Sequence, residues 1–307
     1  MKKIILNMLI LVSLIIPLDV FAKMTSDSKE LIDIDKVTNL TLNYSYDDYN
    51  FDDVSVKLYY IASINKDFDY QLESEFKDYS ISINGIKTHE EWDILKQTLE
   101  SYIKADNIKE LESYSIKNNK VEIQNLKAGL YFVENEKIDR EDYTLLFDSF
   151  LLNIPDLNED GYWNYDVNVY PKAQSFTPKY EIVNYTVTKE WKDDKKNRPQ
   201  SVEVEIYKDG EVISKQILSS SNNWTYDWEA VDDGSIWTIV ERNVPDGYNV
   251  SILNSGSNFI IINTSSNYEE SNPQTLDNIN LYFYLLIISF MGLVLGIISL
   301  ILNNKKV

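Results

Sequence analysis

The sequence predicts an all-β protein made of two immunoglobulin-like β-sandwich domains, the first of which carries one amphipathic helix. Three observations indicate this class. The chain has 307 residues, enough for about two domains. Between residues 35 and 265 most segments alternate apolar and polar side chains with a period of two, as half-buried strands do. Aromatic residues, which favour strands, make up 13% of the chain.

Residues 1–22 have the pattern of a secretory signal peptide. Lys2 and Lys3 precede an apolar run, and Val20 and Ala22 are the small residues before a cleavage site that follows Ala22. The alternative is an uncleaved membrane anchor. It is disfavoured because the run is shorter than the ~20 residues that span a bilayer.

Residues 35–172 form the first predicted domain. Strands are predicted at 40–46, 54–60, 121–123, 129–134, 143–154 and 162–170. Residues 89–105 have apolar side chains at helical spacing and are predicted to be a helix that lies on this domain. Glu134 is predicted to point inward, but the first strand offers only Leu and Tyr on its inward face. We therefore predict no internal crosslink in this domain.

Residues 173–181 lack any periodicity and are predicted to be a linker. Residues 182–265 follow as the second predicted domain, with about seven short strands. Asp-Gly pairs at 209–210, 233–234 and 246–247 mark turns between them. This density of strands is typical of an immunoglobulin-like sandwich.

Three strands of the second domain each place one polar side chain on an otherwise apolar, inward face. These side chains are Lys189, Glu241 and Asn263. Burial lowers the pKa of a lysine and raises that of a glutamate, so a neutral amine can lie beside a carboxylic acid. A neutral amine held next to a carboxamide can attack it without a cofactor. The alternative from strand parity alone is a buried ion pair with a hydrogen-bonded Asn.

A family resemblance favours the first of these alternatives. The segments TKEW (188–191), VEIYKDG (204–210), NWTY (223–226) and VERNVPDGY (240–248) resemble the Cna protein B-type domain in order and spacing. The resemblance covers about residues 185–264. It implies an isopeptide bond between Lys189 and Asn263, with Glu241 assisting its formation.

Lys172 lies on the opposite kind of face, the solvent side of the last strand of the first domain. Alone it would be an ordinary surface lysine. However, the segment WNYDVNVYPK (163–172) matches the motif Trp-x-x-x-Val-x-Val-Tyr-Pro-Lys of sortase-assembled Gram-positive pilins. In that family a pilin sortase joins this lysine to the threonine of the next subunit's sorting signal.

The C-terminus resembles such a sorting signal. Asn272, Pro273, Gln274, Thr275 and Leu276 precede an apolar transmembrane segment at 281–302 and a basic tail at 303–307. The resemblance implies that Thr275 is the residue joined to Lys172 of another subunit. Asn272 and Leu276 depart from the usual Leu-Pro-x-Thr-Gly, which leaves the type of sortase open. A plain membrane-anchored ectodomain is the alternative.

The composition argues against an enzyme and against nucleic-acid binding. The formal net charge is −20, there is no cysteine, and His89 is the one histidine. A broad basic surface for phosphate is therefore missing, as are thiolate nucleophiles and histidine triads. We expect no cofactor and no metal site, with a calcium loop at 156–160 left open.

Together these patterns predict a secreted pilin subunit that is membrane-tethered until a sortase cleaves it and is then anchored in the Gram-positive cell wall. The implied partners are other copies of the chain in a head-to-tail polymer, pilin and housekeeping sortases, and peptidoglycan. A wall-anchored monomeric adhesin or an accessory pilin is the alternative. A host surface ligand for adhesion is left open, as are shaft against accessory position and a crosslink in the first domain.

Overall fold

The computed structural model describes residues 30–46, 49–139, 144–176, 180–195, 198–266 and 268, with the side chains of 174–176 left aside. The predicted signal peptide at 1–22, the sorting motif at 272–276 with Thr275, the transmembrane segment at 281–302 and the tail at 303–307 lie outside these residues. Among the described residues, no helix is both long enough and apolar enough to cross a membrane.

Strands in the first part of the chain build the first sandwich. They are β1 (Thr38–Asn43), β2 (Ser55–Ile64), β3 (Tyr70–Leu72), β4 (Glu112–Ser115), β5 (Lys120–Leu126), β6 (Gly129–Asn135), β7 (Ile138–Asp139), β8 (Thr144–Phe147), β9 (Phe150–Ile154), β10 (Asp156–Leu157), β11 (Trp163–Asn164), β12 (Asp166–Val169) and β13 (Ala173–Phe176). One sheet has the order β12-β1-β5 and another the order β3-β2-β6-β9, with β4 also paired to β2. Two smaller sheets, β13-β8-β7 and β10-β11, complete this part.

The first sandwich differs from the sequence prediction in several ways, since the short strands β3, β4, β7 and β10 were not predicted. The strand predicted at 143–154 is divided into β8 and β9, and the strand predicted at 162–170 is divided into β11 and β12. Residues 173–176, predicted to begin a linker, instead form β13, which pairs antiparallel with β8. The linker prediction was wrong for these residues because it relied on side-chain periodicity. Backbone hydrogen bonds can extend a sheet even where the side chains show no period.

Helix α1 (His89–Asp106) confirms the predicted helix and begins with a capping box. Thr88 Oγ1 accepts from the backbone N–H of Glu91, and the Glu91 carboxylate accepts from the backbone N–H of Thr88. This pair satisfies donors that a helix start leaves free. The buried side of α1 includes Leu95 and Leu99. These two residues belong to an apolar cluster that also contains core residues of both sandwiches. The helix therefore packs against both sandwiches, not against the first alone.

The second sandwich confirms the prediction of about seven strands. They are β14 (Ile182–Lys192), β15 (Ser201–Lys208), β16 (Glu211–Ser219), β17 (Thr225–Val231), β18 (Trp237–Glu241), β19 (Tyr248–Ser255) and β20 (Asn258–Ser265). Two sheets face each other, with the orders β17-β14-β20-β19 and β16-β15-β18. The first strand β14 and the last strand β20 are parallel neighbours. The all-β class with one helix is thus confirmed.

Candidate crosslink site

Lys189, Glu241 and Asn263 come together in the core of the second sandwich. Lys189 and Asn263 lie on the parallel neighbours β14 and β20, whereas Glu241 ends β18 in the opposite sheet. The side chains of Lys189 and Glu241 are 0% exposed, and Asn263 is also 0% exposed. Strand parity predicts this convergence, since each residue shares the inward face of its strand with apolar side chains that fill the core.

Glu241 bridges the other two side chains. Its Oε2 lies 3.4 Å from Lys189 Nζ, and its Oε1 accepts a hydrogen bond from Asn263 Nδ2 at 2.8 Å. Lys189 Nζ also donates to the backbone oxygens of Glu190 at 3.0 Å and Ile261 at 3.3 Å. The Trp191 ring covers the amine, with 4.4 Å between Nζ and the ring centroid. The amine and the carboxamide therefore share one carboxyl group that is buried from solvent.

Burial moves the pKa values of the charged pair toward each other. It lowers the pKa of Lys189 to about 8, although the nearby Glu241 carboxylate opposes this shift. Burial likewise raises the pKa of Glu241, against the opposing influence of Lys189 and Asn263. Both shifts favour a neutral amine beside a neutral carboxylic acid, because charge is costly where water is excluded.

The Asn263 carboxamide is oriented by a single hydrogen bond, and its Oδ1 is buried without a hydrogen-bond partner. A buried oxygen without a hydrogen bond costs free energy, so a conformation that brings a donor to Oδ1 would be favoured. A half-turn of the carboxamide exchanges Nδ2 and Oδ1 and brings Oδ1 to the Glu241 carboxyl. A protonated Glu241 could then donate to Oδ1 and make the carbonyl carbon more electrophilic.

Tyr102 contacts this site from outside the second sandwich, and sequence reasoning missed it. Its hydroxyl donates to the backbone oxygen of Glu241 at 3.0 Å. The helical pattern of α1 predicts that Tyr102 is buried, but nothing in the sequence says that its hydroxyl reaches a strand of another sandwich.

Lys172 lies apart from this core, just after β12, and is exposed as predicted. Its backbone oxygen accepts from the N–H of Asp148 at 3.0 Å. Lys172 borders a groove of about 400 Å³, which is also lined by His89, Trp92, Phe150, Leu151 and Tyr170. Tyr170 is 72% exposed, so the groove has an accessible aromatic edge. Thr275, the predicted partner of Lys172, lies outside the described residues.

Glu134 in the first sandwich has a different environment from that of Glu241. Its carboxylate accepts from the Tyr59 hydroxyl at 3.0 Å and lies 3.8 Å from Lys57 Nζ. The Lys57 side chain is 46% exposed, whereas the Lys189 side chain is 0% exposed. No group of three or more potential metal ligands occurs among the described residues.

Comparisons with known proteins agree with the fold of the second sandwich. Residues 185–264 match the Cna protein B-type domain, so the chain contains such a domain over the residues that the sequence motifs indicated. A collagen adhesin of Staphylococcus aureus is 30% identical over 118 residues, which are 35% of this chain and 10% of that protein. The chain thus spans about a tenth of the length of this relative.

The solved structures that are similar to this chain include both adhesin repeats and pilins. A single B repeat unit of the Staphylococcus aureus collagen-binding surface protein aligns with a TM-score of 0.26 and 19% identity, covering 75% of this chain and 98% of that one. The full-length major pilin SpaD of Corynebacterium diphtheriae aligns with a TM-score of 0.30 and 17% identity, covering 76% and 65% of the two chains.

Proposed function

We propose that this protein is a structural subunit of a covalent surface polymer, a pilin, whose second sandwich closes its own isopeptide bond. The observation that carries the proposal is the buried arrangement of Lys189, Glu241 and Asn263, with the carboxyl between the amine and the carboxamide. A buried ion pair offers little net stability compared with apolar packing. A role in forming the isopeptide bond accounts for the presence of this ion pair in the core.

The reaction joins Lys189 Nζ to Asn263 Cγ. The neutral amine attacks Cγ, Glu241 moves a proton from Nζ to Nδ2, and Nδ2 leaves as ammonia. One C–N bond forms and one breaks, so no oxidant, cofactor or external acid is consumed. Fixed positions in a dry core supply the effective concentration that the step needs.

Polymerisation uses a different lysine. Lys172 is exposed, unlike the buried Lys189, so its reaction is assigned to an enzyme that can reach it from solvent. We propose that a sortase joins Lys172 of one subunit to Thr275 of the next, with Asn272, Pro273, Gln274 and Leu276 forming the rest of the recognised motif. The Thr275–Leu276 peptide bond breaks, the Thr275 carbonyl carbon forms an amide with Lys172 Nζ, and the segment that begins at Leu276 leaves with a new amino group that takes up the proton released by Nζ. Because donor and acceptor are at separate places, the contact does not close on itself and produces a filament.

The remaining predictions follow as parts of this proposal. The domains are residues 35–176, which include β13, and residues 182–265, with export by 1–22 and transient tethering by 281–302 and 303–307. The mature polymer would be attached to peptidoglycan by a housekeeping sortase at the surface of a Gram-positive cell. Likeness to an adhesin and to pilins supports a surface location and a role in adhesion.

Intact mass of the purified chain tests the internal bond. The wild type is expected to be lighter by one ammonia than its sequence, whereas Glu241→Gln should have its full mass. Lys57→Ala in the first sandwich is the control and should still lose ammonia. A full-mass wild type would contradict the internal bond.

A boiled, denaturing immunoblot of cell-wall extract tests the polymer. The wild type should give a high-mass ladder that collapses in Lys172→Ala and persists in Lys66→Ala, an exposed lysine of the same sandwich. A single band in all three would contradict polymerisation and favour a wall-anchored monomeric adhesin.

A further inference from the structure

β19 is the edge strand of its sheet, and residues from the first part of the chain cover its outer edge. The backbone N–H groups of Val250, Ile252 and Asn254 alternate along β19 and point away from its neighbour β20. They donate to Ser80 O at 2.7 Å, Thr98 Oγ1 at 2.8 Å and Gln97 Oε1 at 2.5 Å. Thr98 and Gln97 belong to α1, so this helix completes the hydrogen bonds of an edge strand in the other sandwich.

The same helix reaches β18, the strand that carries Glu241. β18 is an edge strand of its sheet, paired only with β15 in the described structure. The Tyr102 hydroxyl donates to the backbone oxygen of Glu241 in a buried contact. One turn later Asp106 forms an ion pair with Arg242, which also contacts Glu205 on β15. α1 thus contacts the backbone oxygen of Glu241 and the side chain of the next residue, Arg242.

These contacts bear on crosslinking because Glu241 is the member of the site in the opposite sheet. Lys189 and Asn263 are held in register by neighbouring strands, with Lys189 opposite Ile261 and Trp191 opposite Asn263. The distance from the Glu241 carboxyl to either partner depends instead on how β18 is placed against that sheet. A displacement of about 1 Å can slow a positioned reaction by 10²-fold.

We propose that Tyr102 is a positioning residue for the isopeptide reaction, acting through the backbone of Glu241. This inference rests on the proposed internal bond. It makes closure of the bond depend on docking of α1, so that the second sandwich becomes crosslinked after the first sandwich has folded against it. Tyr102 touches no reacting atom and acts only through the placement of β18.

The test compares variants of the full chain made by cell-free synthesis. After translation is stopped, samples are quenched at intervals, and intact mass gives the fraction that has lost ammonia. Tyr102→Phe removes one hydroxyl and keeps the ring. Tyr131→Phe is the matched control, because the Tyr131 hydroxyl also donates to a backbone oxygen, that of Lys127, but within the first sandwich.

Tyr102→Phe is expected to close the bond about 10-fold more slowly than the wild type. Tyr131→Phe should stay within about 2-fold of it, because its hydroxyl is remote from β18. Leu99→Ala separates positioning from stability, since it removes packing from the same helix but keeps the Tyr102 hydroxyl. At a temperature where circular dichroism finds every variant folded, Leu99→Ala should crosslink faster than Tyr102→Phe despite a lower melting temperature.

Two results would overturn the inference. Equal rates for Tyr102→Phe and the wild type, with ammonia lost in both, would remove the positioning role and leave the internal bond intact. A wild type that never loses ammonia would overturn both the inference and the bond on which it rests. Asp106→Asn keeps the Tyr102 hydroxyl and gives a second reading, with slowing expected in the same direction.

Discussion

Each sandwich contains a parallel strand pair that includes its opening strand, but the side chains that the two pairs bury differ in chemistry. In the first sandwich the opening strand β1 is a parallel neighbour of β12, the last strand but one. In the second the opening strand β14 is a parallel neighbour of the last strand, β20. In the first sandwich this pair sets Leu42 opposite Val169. In the second, the corresponding pair contributes Lys189 and Asn263 to the core. The pairing itself therefore does not require polar residues.

The buried charged residues also distinguish the second sandwich from the first. Among the described residues, Lys189, Glu205 and Glu241 are the buried charged residues, and all three belong to the second sandwich. The first sandwich shows that this arrangement of strands can be held by apolar packing. Buried charge that a fold does not need indicates a use beyond stability.

The proposed polymer gives that division a mechanical reason. Tension would enter a subunit through the side chain of Lys172 and leave it at Thr275. The loaded backbone then runs through residues 172–275 and includes the second sandwich, whereas the first sandwich, apart from β13, lies outside this path. A bond from β14 to β20 would carry the load past the intervening strands. The proposed crosslink would then lie in the sandwich on which tension acts.

Placing a lysine in the first sandwich tests whether its core can accept the chemistry of the second. Leu42 is 0% exposed and lies between Val121 and Val169. Leu42→Lys is expected to lower the free energy of unfolding by on the order of 4–5 kcal/mol, because the ammonium gains no buried carboxylate partner. Guanidinium unfolding measures the loss, and intact mass should record no additional loss of ammonia.

Leu42→Met is the matched control, since it has a similar length without charge and should cost less than about 1.5 kcal/mol. If Leu42→Lys is as stable as Leu42→Met, the first core tolerates a lysine, and the contrast between the sandwiches fails.

Sequence patterns predicted the features that depend on the periodicity of apolar side chains. The helix at 89–105 was found at His89–Asp106, and parity alone selected the three side chains that meet in the second core. Strand breaks between β8 and β9 and the pairing of β13 were missed, since they depend on backbone hydrogen bonds that leave no side-chain pattern. The contact from Tyr102 to Glu241 was missed because it depends on how two sandwiches dock.

The pH dependence of stability distinguishes a crosslinked from an uncrosslinked second core. In Asn263→Ala the bond cannot form, so Lys189 keeps an amine whose pKa is lowered by burial from 10.5 to about 8. Between these values the unfolded chain holds a proton that the folded chain has released. The free energy of unfolding of Asn263→Ala should therefore rise by about 3 kcal/mol as pH increases from 8 to 10.5.

In the wild type Lys189 would be an amide nitrogen that does not titrate, so this rise should be absent. Lys189→Met in the Asn263→Ala background corrects for other groups that titrate in this range and should also abolish it. A wild type with the same slope as Asn263→Ala would indicate that the amine is still free.

The smallest effect tests whether α1 links the two sandwiches. Thr88→Ala removes the capping hydroxyl at the start of the helix and should cost about 1 kcal/mol, whereas Thr88→Ser keeps the hydroxyl and should cost only a few tenths. Because Thr98 on the same helix accepts from the N–H of Ile252, a loosened helix should also expose β19. Hydrogen exchange at Ile252 should then become roughly five-fold faster in Thr88→Ala. If only the helix amides exchange faster while Ile252 is unchanged, α1 frays independently of β19, and the two sandwiches are not coupled through it.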